Sequence, residues 1–211
     1  MAEQREEKET PAGYKAISLF FELSFGKPVE VRQQAAATLA ISKNRDMQCT
    51  AASLLALAGD EARAQALADK IAKQFPEDTN VRFDCLPMVA AQLALNRKDP
   101  AGAIGSLQAT APFEAGFGHF YPTWLRGQAY LMQRDGNLAA AEFQKVIDHR
   151  GVVANSFWGA LARLGLARAY ALQGYTAKAG AAYQDFLTLW KDAEPDIPVL
   201  KEAKAEYLKL Q

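Results

Sequence analysis

The amino-acid sequence predicts an all-α fold: a right-handed superhelical stack of about five helical pairs, closed by a C-terminal capping helix. Half of the 211 residues are hydrophobic, and Ala, which favours helix and lets helix axes approach closely, recurs throughout. The stretch RGQAYLMQRDGNLAAAEFQKVI at 126–147 returns as LARAYALQGYTAKAGAAYQDFL at 166–187. The two copies keep Ala129/Ala169, Tyr130/Tyr170, Gln133/Gln173, Ala139/Ala179, Phe143/Tyr183 and Gln144/Gln184. Self-similarity over a few tens of residues marks a stacked repeat, because one helical pair cannot bury its apolar stripe alone.

Residues 1–10 carry many charges and little to bury, so they are expected to be disordered, with the repeat domain spanning 11–211. The first pair, 12–43, turns at Gly26 to Pro28. The second, 45–78, turns at Gly59-Asp60, and Pro76 stands where it can end the second helix. The third, 81–109, turns at Lys98 to Pro100, with Pro100 suited to the first turn of the following helix. The fourth, 120–150, keeps helical spacing to Arg134, breaks at Asp135-Gly136-Asn137, and resumes through Ala139, Phe143 and Ile147 at steps of four. The fifth spans 157–191. A last helix at 196–210 is capped by Asp196 and has Pro198 in its first turn; its Leu200, Tyr207 and Leu208 cover the final pair. Eleven helices are expected. Each pair needs a small residue where its second helix approaches most closely, and Val31, Ala64, Ala103, Ala139 and Ala179 fill that place at separations of 33, 39, 36 and 40. Intervals beyond ~34 residues imply longer helices or loops between pairs.

These positions resemble the tetratricopeptide repeat (TPR) pattern: Gly127 and Tyr130 in one helix, Ala139 and Phe143 in the next, answered by Ala167, Tyr170, Ala179 and Tyr183. With LALAGDEARAQALADKIAKQFPEDT, AQLALNRKDPAGAI and EFQKVIDHRG, nearly the whole chain after about residue 12 is similar to the C-terminal TPR region of acidobacterial serine/threonine protein kinases and related winged-helix regulators. That resemblance implies a non-catalytic protein-binding module, the scaffold or sensor part of a bacterial signalling protein. It does not carry kinase activity here, because the glycine-rich phosphate loop, the strand lysine and the HRD and DFG motifs are missing from the sequence.

Composition narrows the partners. Lys plus Arg equals Asp plus Glu at 24 each, so no global field draws the chain to nucleic acid or an anionic membrane. No apolar run approaches the ~20 residues of a membrane span, and the start MAEQREEKET does not read as a secretory signal, so a soluble, cytoplasmic protein is expected. Cys49 and Cys85 sit inside apolar helical patterns and are read as buried thiols, ahead of a disulfide or a reactive role. His119 and His149 have no partner at metal-ligand or catalytic spacing. The pairs Asp60/Glu61, Glu77/Asp78 and Asp192/Glu194 fall at turns or helix ends, where they cap or stay solvated. No catalytic residue, cofactor or metal is expected.

Binding in TPR arrays runs along the face of the first helices. Carried onto this chain, the resemblance implies Phe20 and Leu23 in the first pair, Cys49 and Ser53 in the second, Met88 and Gln92 in the third, Trp124 and Gln128 in the fourth, and Leu164 and Arg168 in the fifth. This face is mostly apolar and lacks the clustered cations of a chaperone-tail clamp, so an apolar helix or extended segment is the expected partner. The segment ATAPFEAGFGHFYPTW at 109–124 crowds Phe113, Phe117, Phe120, Tyr121 and Trp124 around glycines and prolines. It reads either as an aromatic binding lip or as a loop whose rings fold back to seal a gap between pairs; five exposed rings would make an unusually apolar patch, which favours the seal. Two other readings stand beside the interaction module: a helical ligand-binding or hydrolytic protein with its site under the 109–124 loop, and self-association into a homo-oligomer through exposed apolar helices.

Overall fold

A computed structural model of the chain describes residues 14–15, 18–23, 26, 28–116, 119–154 and 156–210, apart from the side chains of residues 36, 38 and 41. The expected disorder of residues 1–10 and the candidate Phe117 lie outside the described residues. All regular structure among the described residues is helical. Helical residues 18–23 (α1) lead to α2 (Pro28–Ile41), α3 (Arg45–Leu57) and α4 (Glu61–Gln74). A π-helical turn, Val81–Cys85, runs into α5 (Leu86–Asn96), and α6 (Pro100–Ser106) continues as a 3-10 stretch, Leu107–Phe113. Then come α7 (Tyr121–Met132), α8 (Gly136–Asp148), the one-turn α9 (Arg150–Val153), α10 (Phe157–Leu172), α11 (Thr176–Leu189) and α12 (Pro198–Leu208).

One turn design recurs. Gly26, Gly59, Lys98, Arg134 and Gly174 all adopt left-handed φ between 61° and 78°, and their separations are again 33, 39, 36 and 40. At Gly59, Arg134 and Gly174 the turn closes the preceding helix by two backbone bonds, as in Gly59 N–H to the Ala56 carbonyl and Asp60 N–H to that of Leu55. The residue that follows then starts the next helix. Asp60, Asp99 and Asp135 accept the backbone N–H three residues on, from Arg63, Gly102 and Leu138, at 3.2, 2.9 and 2.9 Å. A left-handed residue followed by an N-cap residue thus reverses the chain in two positions. Val31, Ala64, Ala103, Ala139 and Ala179, the small residues picked from the sequence, are all 0% exposed.

The chain divides after Arg97 into two compact units, and the boundary falls at the turn of the third pair. In the first unit α3 packs against α2, α4 and α5, around Leu19, Val31, Leu54, Ile71 and Leu93. In the second, α7 packs on α8 and α10, α8 on α10, α10 on α11, and α11 on α12. Each helix there meets the next in sequence, and α7 also meets the first helix of the following pair. The same cross-link joins successive pairs in both units. Arg97, just before its turn, reaches Glu61 at the start of α4 at 2.8 Å, and Gln173, in the equivalent place, donates to the Gly136 carbonyl at the start of α8 at 2.8 Å.

Three expectations need correction. Cys49 and Cys85 are joined in a disulfide, with Cα atoms 5.6 Å apart, and are not free thiols. Their separation of 36 residues is close to one repeat, which puts them on the first helices of adjacent pairs, where equivalent positions face each other. The second helix of the third pair is cut to α6 and finished by the 3-10 stretch. And α9 is an added helix that takes up the long interval between Ala139 and Ala179.

Candidate functional site

Two arginines of the second unit, Arg126 and Arg168, are held within the fold. Arg126 on α7 is buried; its Nε and Nη2 donate to Glu142 on α8 at 3.1 and 2.7 Å, and Nη2 also donates to Glu114, just after the 3-10 stretch. Lys145 stands 3.6 Å from Glu114. Burial works against the guanidinium's charge, and the hydrogen bonds and attraction of Glu142 and Glu114 outweigh it, so its pKa lies above the ordinary value. The cluster ties the 109–124 segment to α7 and α8. The sequence reading missed it, although the Arg126 to Glu142 separation links facing positions of one helical pair.

Arg168, expected to face a partner, instead holds α12. Its fork meets Glu206 through two bonds of 2.9 Å and reaches Glu202 at 3.3 Å, while the Tyr183 hydroxyl donates to Glu206 at 2.8 Å. Leu164 is 1% exposed and packs with Phe186, Ile197 and Leu200, so it is core and not surface. Both corrections have one cause: α12 covers the part of α10 that the resemblance left open.

The described Phe, Tyr and Trp rings of the 109–124 segment are buried or half-buried. Phe120 and Tyr121 are buried, and Phe120 stacks on His149 at 4.4 Å. Trp124 is half-buried, 5.7 Å from the Tyr121 ring and 6.0 Å from that of Phe157. Trp158 Nε1 donates to the His119 carbonyl at 3.0 Å, fastening the start of α10 to the loop. Phe113 is half-buried at the end of the 3-10 stretch. The segment seals the junction of α7 and α10. Within this seal the Tyr121 hydroxyl, Thr123 Oγ1 and Trp124 Nε1 are buried with no hydrogen-bond partner among the described residues.

Apart from Arg168, the candidate residues that stay partly accessible are uncharged. In the first unit Phe20 and Leu23 pack partly on the core, and Cys49 is committed to the disulfide. Ser53, Met88 and Gln92 are half-buried, with Gln92 donating to Asn96 at 2.9 Å. In the second unit Gln128 is half-buried one turn beyond Trp124. The histidines serve local structure, His149 Nδ1 lying 2.8 Å from the Lys145 carbonyl. Among the described residues no group of three His, Cys, Asp or Glu side chains is placed to hold a metal ion, and no helix is long and apolar enough to cross a membrane.

Compared with models of known families, with curated proteins and with solved structures, the chain shows no match. The arrangement itself offers side chains suited to contact. Ser53, Met88 and Gln92 on one unit, and Trp124 and Gln128 on the other, mix apolar surface with neutral hydrogen-bonding groups.

Proposed function

We propose that the chain is a non-catalytic, TPR-type protein-interaction module, the scaffold or sensor part of a bacterial signalling protein. One observation carries the reading: the left-handed turn residue and the buried small residue recur five times at the same unequal separations. Repetition of one local geometry without a shared catalytic centre is the mark of a repeat scaffold. The pairing of Arg126 and Arg168 within the fold supports a partner recognised through apolar contact, such as an amphipathic helix, over an acidic one.

Capture of bacterial partners by the immobilised chain tests this. Ser53→Arg in the first unit and Gln128→Arg in the second each place a long charged side chain among the neutral candidate residues of its own unit without removing a core group. Each is expected to weaken capture at least about tenfold, roughly 1.4 kcal/mol, with unchanged helicity and melting temperature. Full capture by both variants would move the partner elsewhere, and turnover of a phosphoryl donor by the purified chain would end the non-catalytic reading.

A further inference from the structure

We infer that the second unit binds a small amphipathic monocarboxylate in a cleft where α8, α9, α10 and α11 converge. The cleft measures about 350 Å³, at the lower end of the range for small-molecule sites. The one-turn α9, which links α8 to α10, forms one wall of it. Gly159 on α10 lets α9 settle closely, since a Cβ there would stand 2.7 Å from Val153 Cγ1. Val146, Ile147, Val153 and Ala160 supply apolar lining, and Val146 and Val153 are almost fully buried and so fixed in place.

Two cations stand on the same cleft, Arg150 from α9 and Arg163 from α10. Arg45, Arg63, Arg82, Arg97, Arg126 and Arg168 each hold a carboxylate; Arg32, Arg134, Arg150 and Arg163 have no ion-pair partner among the described residues, and of these Arg150 and Arg163 line this cleft together. Arg163 Nη1 donates to the Gly159 carbonyl at 3.2 Å, which steadies the guanidinium and leaves most of its donors free. Ser156, at the rim, begins α10 without a side-chain cap bond, so the positive end of that helix adds to the local field. With two unpaired guanidinium groups on its lining the cleft favours an anion, and a carboxylate head matches the guanidinium fork. The apolar lining calls for an aliphatic body behind that head. The occupant is therefore an organic acid of modest chain length. This site is separate from the neutral face proposed for protein partners and does not depend on it.

Calorimetric titration of the full chain with octanoate, 1-octanol and acetate tests the assignment. Octanoate is expected to bind saturably and at least about tenfold more tightly than either control, because only it satisfies both the charge and the lining. Arg150→Gln removes an exposed, unpaired cation and is expected to weaken octanoate about tenfold with no change in melting temperature. Arg163→Gln is expected to do the same, even where loss of its bond to Gly159 lowers stability. Absence of saturable octanoate binding, equal affinity for octanol, or unchanged affinity in Arg150→Gln would each overturn the proposal.

Discussion

Phe143 fills a space that two glycines keep open. A Cβ on Gly127 would lie 2.7 Å from its ring and one on Gly165 2.5 Å from it, so α7, α8 and α10 meet at a contact that no other residue pair could make. Gly165→Ala is expected to cost about 1–3 kcal/mol of stability by overpacking, measured by urea denaturation; a neutral result would mean the three helices do not close on this ring. Tyr121 offers the opposite test. Its hydroxyl is buried and unpartnered among the described residues, and burial pushes its pKa up. Tyr121→Phe removes a buried polar atom that has no hydrogen-bond partner among the described residues, so stability is expected to hold or rise by up to about 1–3 kcal/mol. Asp84 in the π-helical turn is 6% exposed, and burial pushes its carboxyl from 3.8 up to about 6. Below pH about 4 it is neutral whether folded or unfolded; as pH rises through 6 the folded chain must hold a buried charge that the unfolded chain keeps in water, at a cost of about 3 kcal/mol. Asp84→Asn should therefore stabilise the chain more at pH 8 than at pH 4. An equal effect at both would show that the carboxyl ionises freely.

At the scale of elements, the disulfide and the final helix are the contacts that sequence reading undervalued. Cys49 and Cys85 close a loop of 36 residues between α3 and the π-helical turn, and such a crosslink contributes about 3–4 kcal/mol by restricting the unfolded chain. Reduction is expected to raise hydrogen exchange in α3 and α5 most strongly; uniform exchange before and after would show that the bond carries no stability. Treated as two isolated apolar residues, the cysteines looked like core filler. Treated as occupants of adjacent repeats, they become neighbours, so the repeat register already held the signal. The docking of α12 was legible in part. Leu200 was expected to cover the last pair and does, but the grip of Arg168 on Glu206 was not foreseen, because long polar side chains pair across helices at positions no periodicity fixes. Glu206→Gln is expected to weaken that grip and increase exchange in α12, leaving α7 and α8 unchanged.

For the molecule as a whole, helix positions and turns were readable because they obey local chemistry: a left-handed residue, a following cap, and apolar spacing near 3.6. The added α9 and the truncated α6 were not, since insertions between repeats answer to tertiary fit. The accessibility of the candidate residues was legible in part for the same reason. Ser53, Met88, Gln92 and Gln128 remain partly accessible, while Leu164 and Arg168 were taken by an element outside the repeating pattern. Self-association through exposed apolar residues such as Leu189 and Leu208 remains a separate reading, and sedimentation that shows only monomer at high concentration removes it.

The central claim is that one helix-pair geometry recurs along the chain, and substitution at its closest-packed place tests that directly. Ala64→Leu, Ala103→Leu, Ala139→Leu and Ala179→Leu, measured one at a time by urea unfolding, are each expected to lose about 1–3 kcal/mol, with the exposed Ala66→Leu and Ala181→Leu near neutral. Ready acceptance of leucine at two or more of the four buried sites would contradict the shared geometry and the repeat reading with it.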